Sequence, residues 1–138
     1  MVGKKSIHLV FAGKRKRAVA KAVIGPGSGR ITINSVPIEN YNNEFYRMRL
    51  SEPLYFVEPL KLKSVNIAVN VAGGGVSAQT DACRLAIANA LVEYFSDEKL
   101  KQSYLNYDRN MLVSDVRRNE PHKPRRSKAR ARRQKSYR

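Results

Sequence analysis

One stretch of the chain alternates between apolar and polar positions as a half-buried strand does. From Ser64 to Val71 a large apolar residue stands at every second position, with asparagine or alanine between. Because successive side chains of a strand point to opposite faces of a sheet, this spacing puts the large side chains on one face. The pattern predicts one core face and one partly polar face, and the core side chains are Val65, Ile67, Val69 and Val71.

Three shorter strands are predicted nearer the N-terminus. Apolar runs cover Ile7 to Phe11 and Ala18 to Ile24, and a clean alternation runs from Arg30 to Asn34. The segment Gly25 to Gly29 lies between the second and third of these strands. Its glycines and proline predict a hairpin turn that joins them.

A long helix is predicted after three consecutive glycines, with Ser77 as its N-cap, Asp81 in its first turn and its end near Phe95. Its apolar residues form two stripes, which leave only a narrow polar edge. A helix that is apolar on two sides is covered on two sides, so we expect this to be the central core helix. The stripes are Cys83, Ala86, Ile87, Ala90, Leu91 and Tyr94, and Leu85, Ala88 and Val92.

Shorter elements are predicted on either side of this helix. Glu44 to Leu50 and Glu52 to Leu60 resemble two short helices, each interrupted or ended near a proline. After the long helix, Ser96 is the expected cap of a further helix from Asp97 to about Leu105. Met111 to Val113 is a candidate last strand.

The C-terminal segment is close to a pure polycation. Its 22 residues, Arg117 to Arg138, hold eleven Lys or Arg and one acid, which makes +10 of the formal net charge of +16. With almost nothing apolar to bury, such a segment cannot offset its ordering entropy by forming a core. The length of 138 residues predicts one domain. We therefore expect a globular domain over residues 1–116 and an extended basic arm over residues 117–138.

The excess of positive charge predicts a polyanionic partner. A net charge of +16 destabilises an isolated compact state, and neutralising phosphates releases condensed counterions. No stretch approaches the roughly 20 apolar residues of a spanning helix, and the arm lacks an apolar face for a membrane surface. Nucleic acid is thus favoured over a membrane. A merely solubilising tail is the alternative, but it has no reason to be so one-sided.

Few residues offer other chemistry. Cys83 is the only cysteine, so no internal disulfide forms, which fits a reducing cytosol. No metal-ligand spacing joins His8 or His122 to the cysteine or to an acid pair, so no metal is expected.

The residues that could carry out catalysis are not arranged for it. Ser77 and Ser114 have no nearby histidine in sequence. Asp108 and Asp115 lie among arginines, which favours ion pairs over acid–base catalysis. We expect no enzyme, no cofactor and no small-molecule substrate. The apolar run near the N-terminus is too short for a signal peptide.

The glycine loop is the strongest enzyme-like signal. Gly73, Gly75 and Ala78 match the relaxed dinucleotide-binding pattern between a strand and a helix. The acid about 20 residues on, Glu93, falls within the same helix instead of ending a second strand, and the loop has no P-loop lysine. A tight turn is the favoured interpretation. An RNA-phosphate contact through backbone N–H groups ranks second, and a nucleotide site third.

A second basic cluster, Lys14 to Arg17, is remote in sequence from the arm and falls between a loop and a strand. A solvated loop is the alternative interpretation. Two basic clusters on a small domain suggest a protein that lies on structured RNA and extends an arm into it, because RNA helices are recognised by shape and backbone contacts. The aromatic residues lie in or beside apolar helices, where packing explains them better than base stacking.

Four motifs together resemble one family. The first two are GKRKRAVA at Gly13 to Ala20 and INSVP at Ile33 to Pro37. The third is GGGVSAQ at Gly73 to Gln79, together with Ala82, Arg84, Ala86 and Ile87. The fourth begins with YDR at Tyr107 to Arg109 and continues through Arg117 and Arg118 to KARARRQKSYR at Lys128 to Arg138. Nearly the whole chain is similar to the universal small-subunit ribosomal protein nine family, in its archaeal and eukaryotic branch.

The resemblance implies a fold and a set of partners. The fold is an α/β domain (an α+β sandwich) with helices packed on one mixed sheet. It resembles the second domain of ribosomal protein five, with a left-handed crossover, and carries a long basic C-terminal tail. The implied function is a cytoplasmic, structural one in translation: binding rRNA in the head of the small ribosomal subunit, beside other head proteins. The C-terminal arm would reach the anticodon region of peptidyl-site tRNA.

The implied contacts fall into two sets. Expected to bind rRNA are Lys14, Arg15, Lys16, Arg17, Gly73, Gly74, Gly75, Arg109, Arg117, Arg118, Lys123, Arg125, Arg126, Lys128, Arg130, Arg132 and Arg133. Expected to contact tRNA are Lys135, Ser136, Tyr137 and Arg138. Two other functions remain as alternatives. Composition alone also fits a free-standing nucleic-acid-binding protein or RNA chaperone. The glycine loop before a helix also fits a small phosphotransfer enzyme.

Overall fold

The computed structural model describes residues 8–131, and they form one mixed sheet with helices. The strand order is β1-β2-β5-β3-β4. β2 pairs antiparallel with β1 and β5, β3 pairs antiparallel with β4, and β3 and β5 are parallel. The strands are β1 Leu9–Arg15, β2 Ala18–Pro26, β3 Ile31–Ile33, β4 Val36–Pro37 and β5 Val65–Ala72.

The helices follow β4 and β5 in the chain. They are α1 Glu44–Ser51, α2 Pro59–Lys63, α3 Val76–Phe95 and α4 Glu98–Tyr107, with 3₁₀ turns at Ile38–Asn40, Glu52–Phe56 and Arg109–Met111. From residue 112 to 131 the described chain forms neither helix nor strand. The result is an α+β fold with one mixed sheet, as expected.

The core lies between α3 and one face of the sheet. Alternate residues of β2 and β5 are buried, and the predicted core residues Val65, Ile67, Val69 and Val71 are among them. The long helix contacts β1, β2 and β5, and both of its predicted stripes are buried except for the half-buried Tyr94. Small side chains in β2 and Gly13 in β1 let the helix backbone approach closely. A Cβ atom at Gly13 would collide with the carbonyl of Ala82 in α3.

The glycine-rich segment at residues 25–29 is a turn but not a hairpin, so that prediction was wrong. β5 lies between the two strands that the segment connects. The side-chain oxygen of Asn66 accepts hydrogen bonds of 2.9 Å from the backbone N–H groups of Ser28 and Arg30. These contacts fasten the turn to the start of β5. The hairpin instead joins β1 to β2, and Lys16 takes a left-handed conformation (φ 52°) at its tip.

The predicted helix at residues 52–60 is two elements. A 3₁₀ turn ends at Phe56, the backbone is extended at Val57 and Glu58, and α2 begins at Pro59. Proline disfavours the helical region for the preceding residue, so the helix cannot run through.

Four further local predictions were also wrong. Gly75 precedes α3 and no side chain caps it, so Ser77 is not the N-cap and Asp81 lies beyond the first turn. Ser96 ends α3 in the left-handed region, and Asp97 caps α4 by accepting from two backbone N–H groups. Residues 111–113 form no strand. A 3₁₀ turn there places the fully buried Met111 in the core.

Candidate nucleic-acid interface

The β1–β2 hairpin tip and the glycine turn lie at the same end of the sheet. The pairing of Val19 with Ala72 places the start of β2 beside the end of β5. Gly73 and Gly74 both have positive φ, at 80° and 65°. A Cβ atom on Gly73 would lie 2.6 Å from the carbonyl oxygen of Arg17. The favoured interpretation, a tight turn whose backbone passes close to another group, is therefore confirmed.

The start of the arm joins these two elements around an open cleft of about 550 Å³. Three segments that are far apart in sequence meet there, and α3 begins beside them. No side chain caps the first turn of α3, and the N-terminus of a helix favours anions. The cleft is lined by Lys16, Arg17, Gly74, Gly75, Ala78, Asn119, Glu120, Pro121 and His122.

The four basic residues of the hairpin have different surroundings. Lys14, Lys16 and Arg17 are exposed. Arg15 is partly buried, and its Nη1 lies 2.7 Å from Oδ2 of Asp115, while its Nε lies 3.6 Å from Oδ2 of Asp81. The guanidinium of Arg15 is thus held by carboxylates of the same chain, whereas its three neighbours face solvent.

Asp115 also binds the beginning of the arm. Its Oδ2 accepts hydrogen bonds from Nε and Nη2 of Arg117 at 2.9 and 2.7 Å, and its Oδ1 accepts from the backbone N–H of Arg117 at 2.9 Å. These bonds from Arg117, with the nearby charge of Arg15, lower the pKa of Asp115 to about 2. The predicted ion pairing of Asp115 is confirmed.

A buried arginine completes this ionic network, and sequence reasoning missed it. Arg84 is only 4% exposed, in the middle of α3. Its Nη2 lies 2.6 Å from Oε2 of Glu52, and its Nη1 donates to Oδ2 of Asp108 at 2.9 Å. The predicted ion pairing of Asp108 is thereby confirmed. Arg49 donates from Nε to Oδ1 of Asp81 at 2.8 Å. A charged residue inside the apolar run of α3 was the available signal.

The described part of the arm presents its cations to solvent. Arg118, Lys123, Arg125, Arg126 and Lys128 are exposed, as is Arg109 on the last 3₁₀ turn. Arg130 is exposed too, and its Nε lies 2.8 Å from a carboxylate oxygen of Glu120. The remaining predicted contact residues, Arg132, Arg133 and the four from Lys135 to Arg138, lie outside the described residues.

Residues 8–131 contain neither a membrane-spanning helix nor a cluster of metal ligands. No helix in this range is long and apolar enough to cross a membrane. No group of three or more His, Cys, Asp or Glu side chains in this range could hold a metal ion. Cys83 is fully buried, as its place in the apolar stripe predicted.

Comparison with known proteins agrees with the resemblance. The family model described as Ribosomal protein S9/S16 matches residues 13–138. The protein of Picrophilus torridus called small ribosomal subunit protein uS9 is 48% identical over 96% of this chain and 99% of its own length. Proteins of the same name from Desulfurococcus amylolyticus and Methanococcus vannielii are 48% and 46% identical over 94% and 97% of this chain, and over 92% and 99% of their own lengths. The chain belongs to the ribosomal protein S9/S16 family, and these relatives come from its archaeal branch.

Proposed function

We propose that this protein is a structural constituent of the small ribosomal subunit in the cytoplasm, where it binds rRNA of the subunit head and extends its basic arm, residues 117–138, toward the peptidyl-site tRNA. The observation that carries the proposal is the cleft where the β1–β2 hairpin, the glycine turn and the start of the arm meet. It gathers cationic side chains and a helix N-terminus at one end of the sheet, as a phosphate backbone requires.

The exposed hairpin residues are the contacts proposed for the globular domain. Lys14, Lys16 and Arg17 extend from a rigid two-stranded frame, so they can meet phosphates of a folded RNA without reorganising. Gly73, Gly74 and Gly75 let the backbone come near an RNA strand at the start of α3. Arg15 and Arg117 are bound to Asp115, so we assign them to holding this surface together and only secondarily to touching RNA.

The arm is proposed to follow RNA by charge. Its cations neutralise phosphates of rRNA along the way, and such contacts position a protein without sequence readout. The tip, Lys135 to Arg138, is proposed to lie at the tRNA anticodon region. An arginine there suits the place, because its planar fork both binds phosphate oxygens and stacks on a base. We also propose that neighbouring head proteins are partners. The parallel connection from β3 to β5 should have the left-handed sense found in the second domain of ribosomal protein five. No catalytic activity is proposed.

Sedimentation tests this proposal. The tagged full-length chain, expressed in cells, should co-migrate with the small subunit at moderate salt, at about one copy per particle. A variant that ends at Glu120 should still associate through its globular domain but dissociate at lower salt. A chain found mostly at the top of the gradient, bound to varied RNAs, would instead support a free-standing RNA chaperone.

A further inference from the structure

Asp115 is the last well-covered side chain before the arm leaves the domain. The fully buried Met111 fixes the preceding 3₁₀ turn, and the side chain of Asp115 is only 13% exposed. From residue 116 to residue 128 every side chain is exposed. The direction in which the arm departs is therefore set at or just after Asp115.

One carboxylate holds both basic segments at this point. Arg15 belongs to the hairpin, where its Cα is paired with that of Ala18, so its backbone is fixed by the sheet. Asp115 receives this guanidinium at 2.7 Å and, at the same time, the backbone and side chain of Arg117. The first cation of the arm is thus connected to the hairpin through a single acidic side chain.

Charge alone does not explain an acid in this place. The hairpin cluster and the arm are both cationic and repel each other, and both are proposed to bind a polyanion. A negative charge between them weakens the general attraction for RNA. The advantage of the acid is structural, because it holds two mutually repelling segments at a defined separation.

We propose that Asp115 is a positioning residue, which fixes the exit direction of the arm relative to the Lys14–Arg17 hairpin so that both meet the same RNA at a set spacing. The inference rests on the proposed function. It predicts that removing the acid affects the affinity for RNA and the placement of the arm differently. General affinity for RNA should stay equal or rise, while the placement of the arm should become less defined.

Cleavage of rRNA from a tethered iron–EDTA group measures placement directly. Cys83 is the only native cysteine, and burial raises the pKa of its thiol to about 12, so it should not react in the folded protein. Ser127→Cys would carry the group on the arm, and Ser28→Cys would carry it on the turn before β3. Each tether is combined with Asp115→Asn and with the control Glu93→Gln. The control makes the same change of charge at an exposed position of α3 that does not line the cleft.

The expected result separates the two variants. In reconstituted subunits, Asp115→Asn should weaken the main rRNA cleavages from residue 127 roughly threefold to tenfold and add new ones, the range expected for losing a contact within an ionic network. Cleavage from residue 28 should not change. Glu93→Gln should give the wild-type pattern from both tethers, and Arg15→Gln should reproduce the spread seen with Asp115→Asn. Affinity for an unrelated RNA duplex should not fall in Asp115→Asn.

Three results would overturn the inference. A wild-type cleavage pattern from residue 127 in Asp115→Asn would show that the arm is placed without this acid. A changed pattern from residue 28 as well would assign Asp115 to folding or docking of the whole domain. If the arm tether of the wild-type protein cleaved no rRNA at all, the proposed function would fail, and the inference with it.

Discussion

The three glycines before α3 meet different surroundings, so alanine should be tolerated very differently at each. Gly73 has φ 80°, and its Cβ would lie 2.6 Å from the carbonyl oxygen of Arg17. Gly74 has φ 65°, and its Cβ would meet the backbone nitrogen of Ala18 at 3.2 Å. Gly75 has φ −105°, and its Cβ would have nothing within 4 Å.

These differences translate into graded losses of stability. Forcing a side chain into the left-handed region costs roughly 1–2 kcal/mol, and overpacking against fixed atoms costs roughly 1–3 kcal/mol more. Gly73→Ala carries both penalties and should lower the free energy of unfolding by about 2–5 kcal/mol. Gly74→Ala carries mainly the first penalty, and Gly74→Val should cost more because the left-handed region disfavours branched side chains most. Gly75→Ala should stay within about 0.5 kcal/mol of wild type.

Urea unfolding followed by circular dichroism measures the series. With a slope of roughly 1–3 kcal/mol per molar urea, the loss at Gly73 should move the midpoint by about 0.7 M or more. Binding of each folded variant to a head rRNA fragment provides a second readout. Gly75→Ala should weaken binding without a loss of stability if the turn approaches a phosphate. Equal losses at the three positions, or the largest loss at Gly75, would refute the packing of this turn on the hairpin.

Three other substitutions probe the interior and the acid. Arg84→Ala should lower the free energy of unfolding by about 3–5 kcal/mol, because it leaves the carboxylates of Glu52 and Asp108 without their buried partner. Calorimetry would measure this loss, and a loss below about 1 kcal/mol would contradict the buried network. Tyr104→Phe removes a 2.6 Å hydrogen bond to the carbonyl of Pro53 and should cost about 0.5–1.5 kcal/mol; an unchanged urea midpoint would show that this bond does not contribute. Asp115 has a pKa of about 2, below the usual value of about 3.9, so its contribution to stability is complete above pH 4 and is lost as the pH falls toward 2. Asp115→Asn should therefore lose less stability than wild type between pH 4 and pH 2, and parallel acid-unfolding curves would contradict the pairing.

Local periodicity predicted the elements that carry the core. The large residues of the alternation at Val65 to Val71 are buried, because the strand packs one face on the core. The residues of the two stripes of α3, apart from the half-buried Tyr94, are buried too, because that helix is covered on two sides. Both signals are repeated over several turns or strand positions. One ambiguous residue therefore does not change the prediction.

Strand pairing could not be predicted in the same way. The composition of Gly25 to Gly29 specifies a turn, but it does not specify the strand beside which the chain continues. The partner is β5, whose Asn66 lies 38 residues after Ser28 in the chain and binds its backbone N–H. Hairpin signals assume that neighbours in sequence are neighbours in the sheet, and here a later strand lies between them.

The candidate interface was predictable only in part. Both basic clusters and the glycine turn were evident from composition, but their meeting at one cleft depends on the register between β2 and β5. Lys14 and Arg15 look equivalent in sequence. Alternation along β1 turns one toward solvent and the other toward Asp81 and Asp115, which come from distant parts of the chain. Which cations are free for RNA is therefore a tertiary property.

The salt dependence of binding to a head rRNA fragment tests RNA recognition through the hairpin and the arm most directly. If the two segments together neutralise roughly 6–10 phosphates, the affinity of the full-length chain should fall by about 10³–10⁵ between 50 and 200 mM salt. A chain ending at Glu120 should show a much shallower slope, and Lys16→Ala should reduce the full-length slope by about one contact. A truncated chain with the same slope as the full-length chain would contradict the role of the arm as the main electrostatic contact.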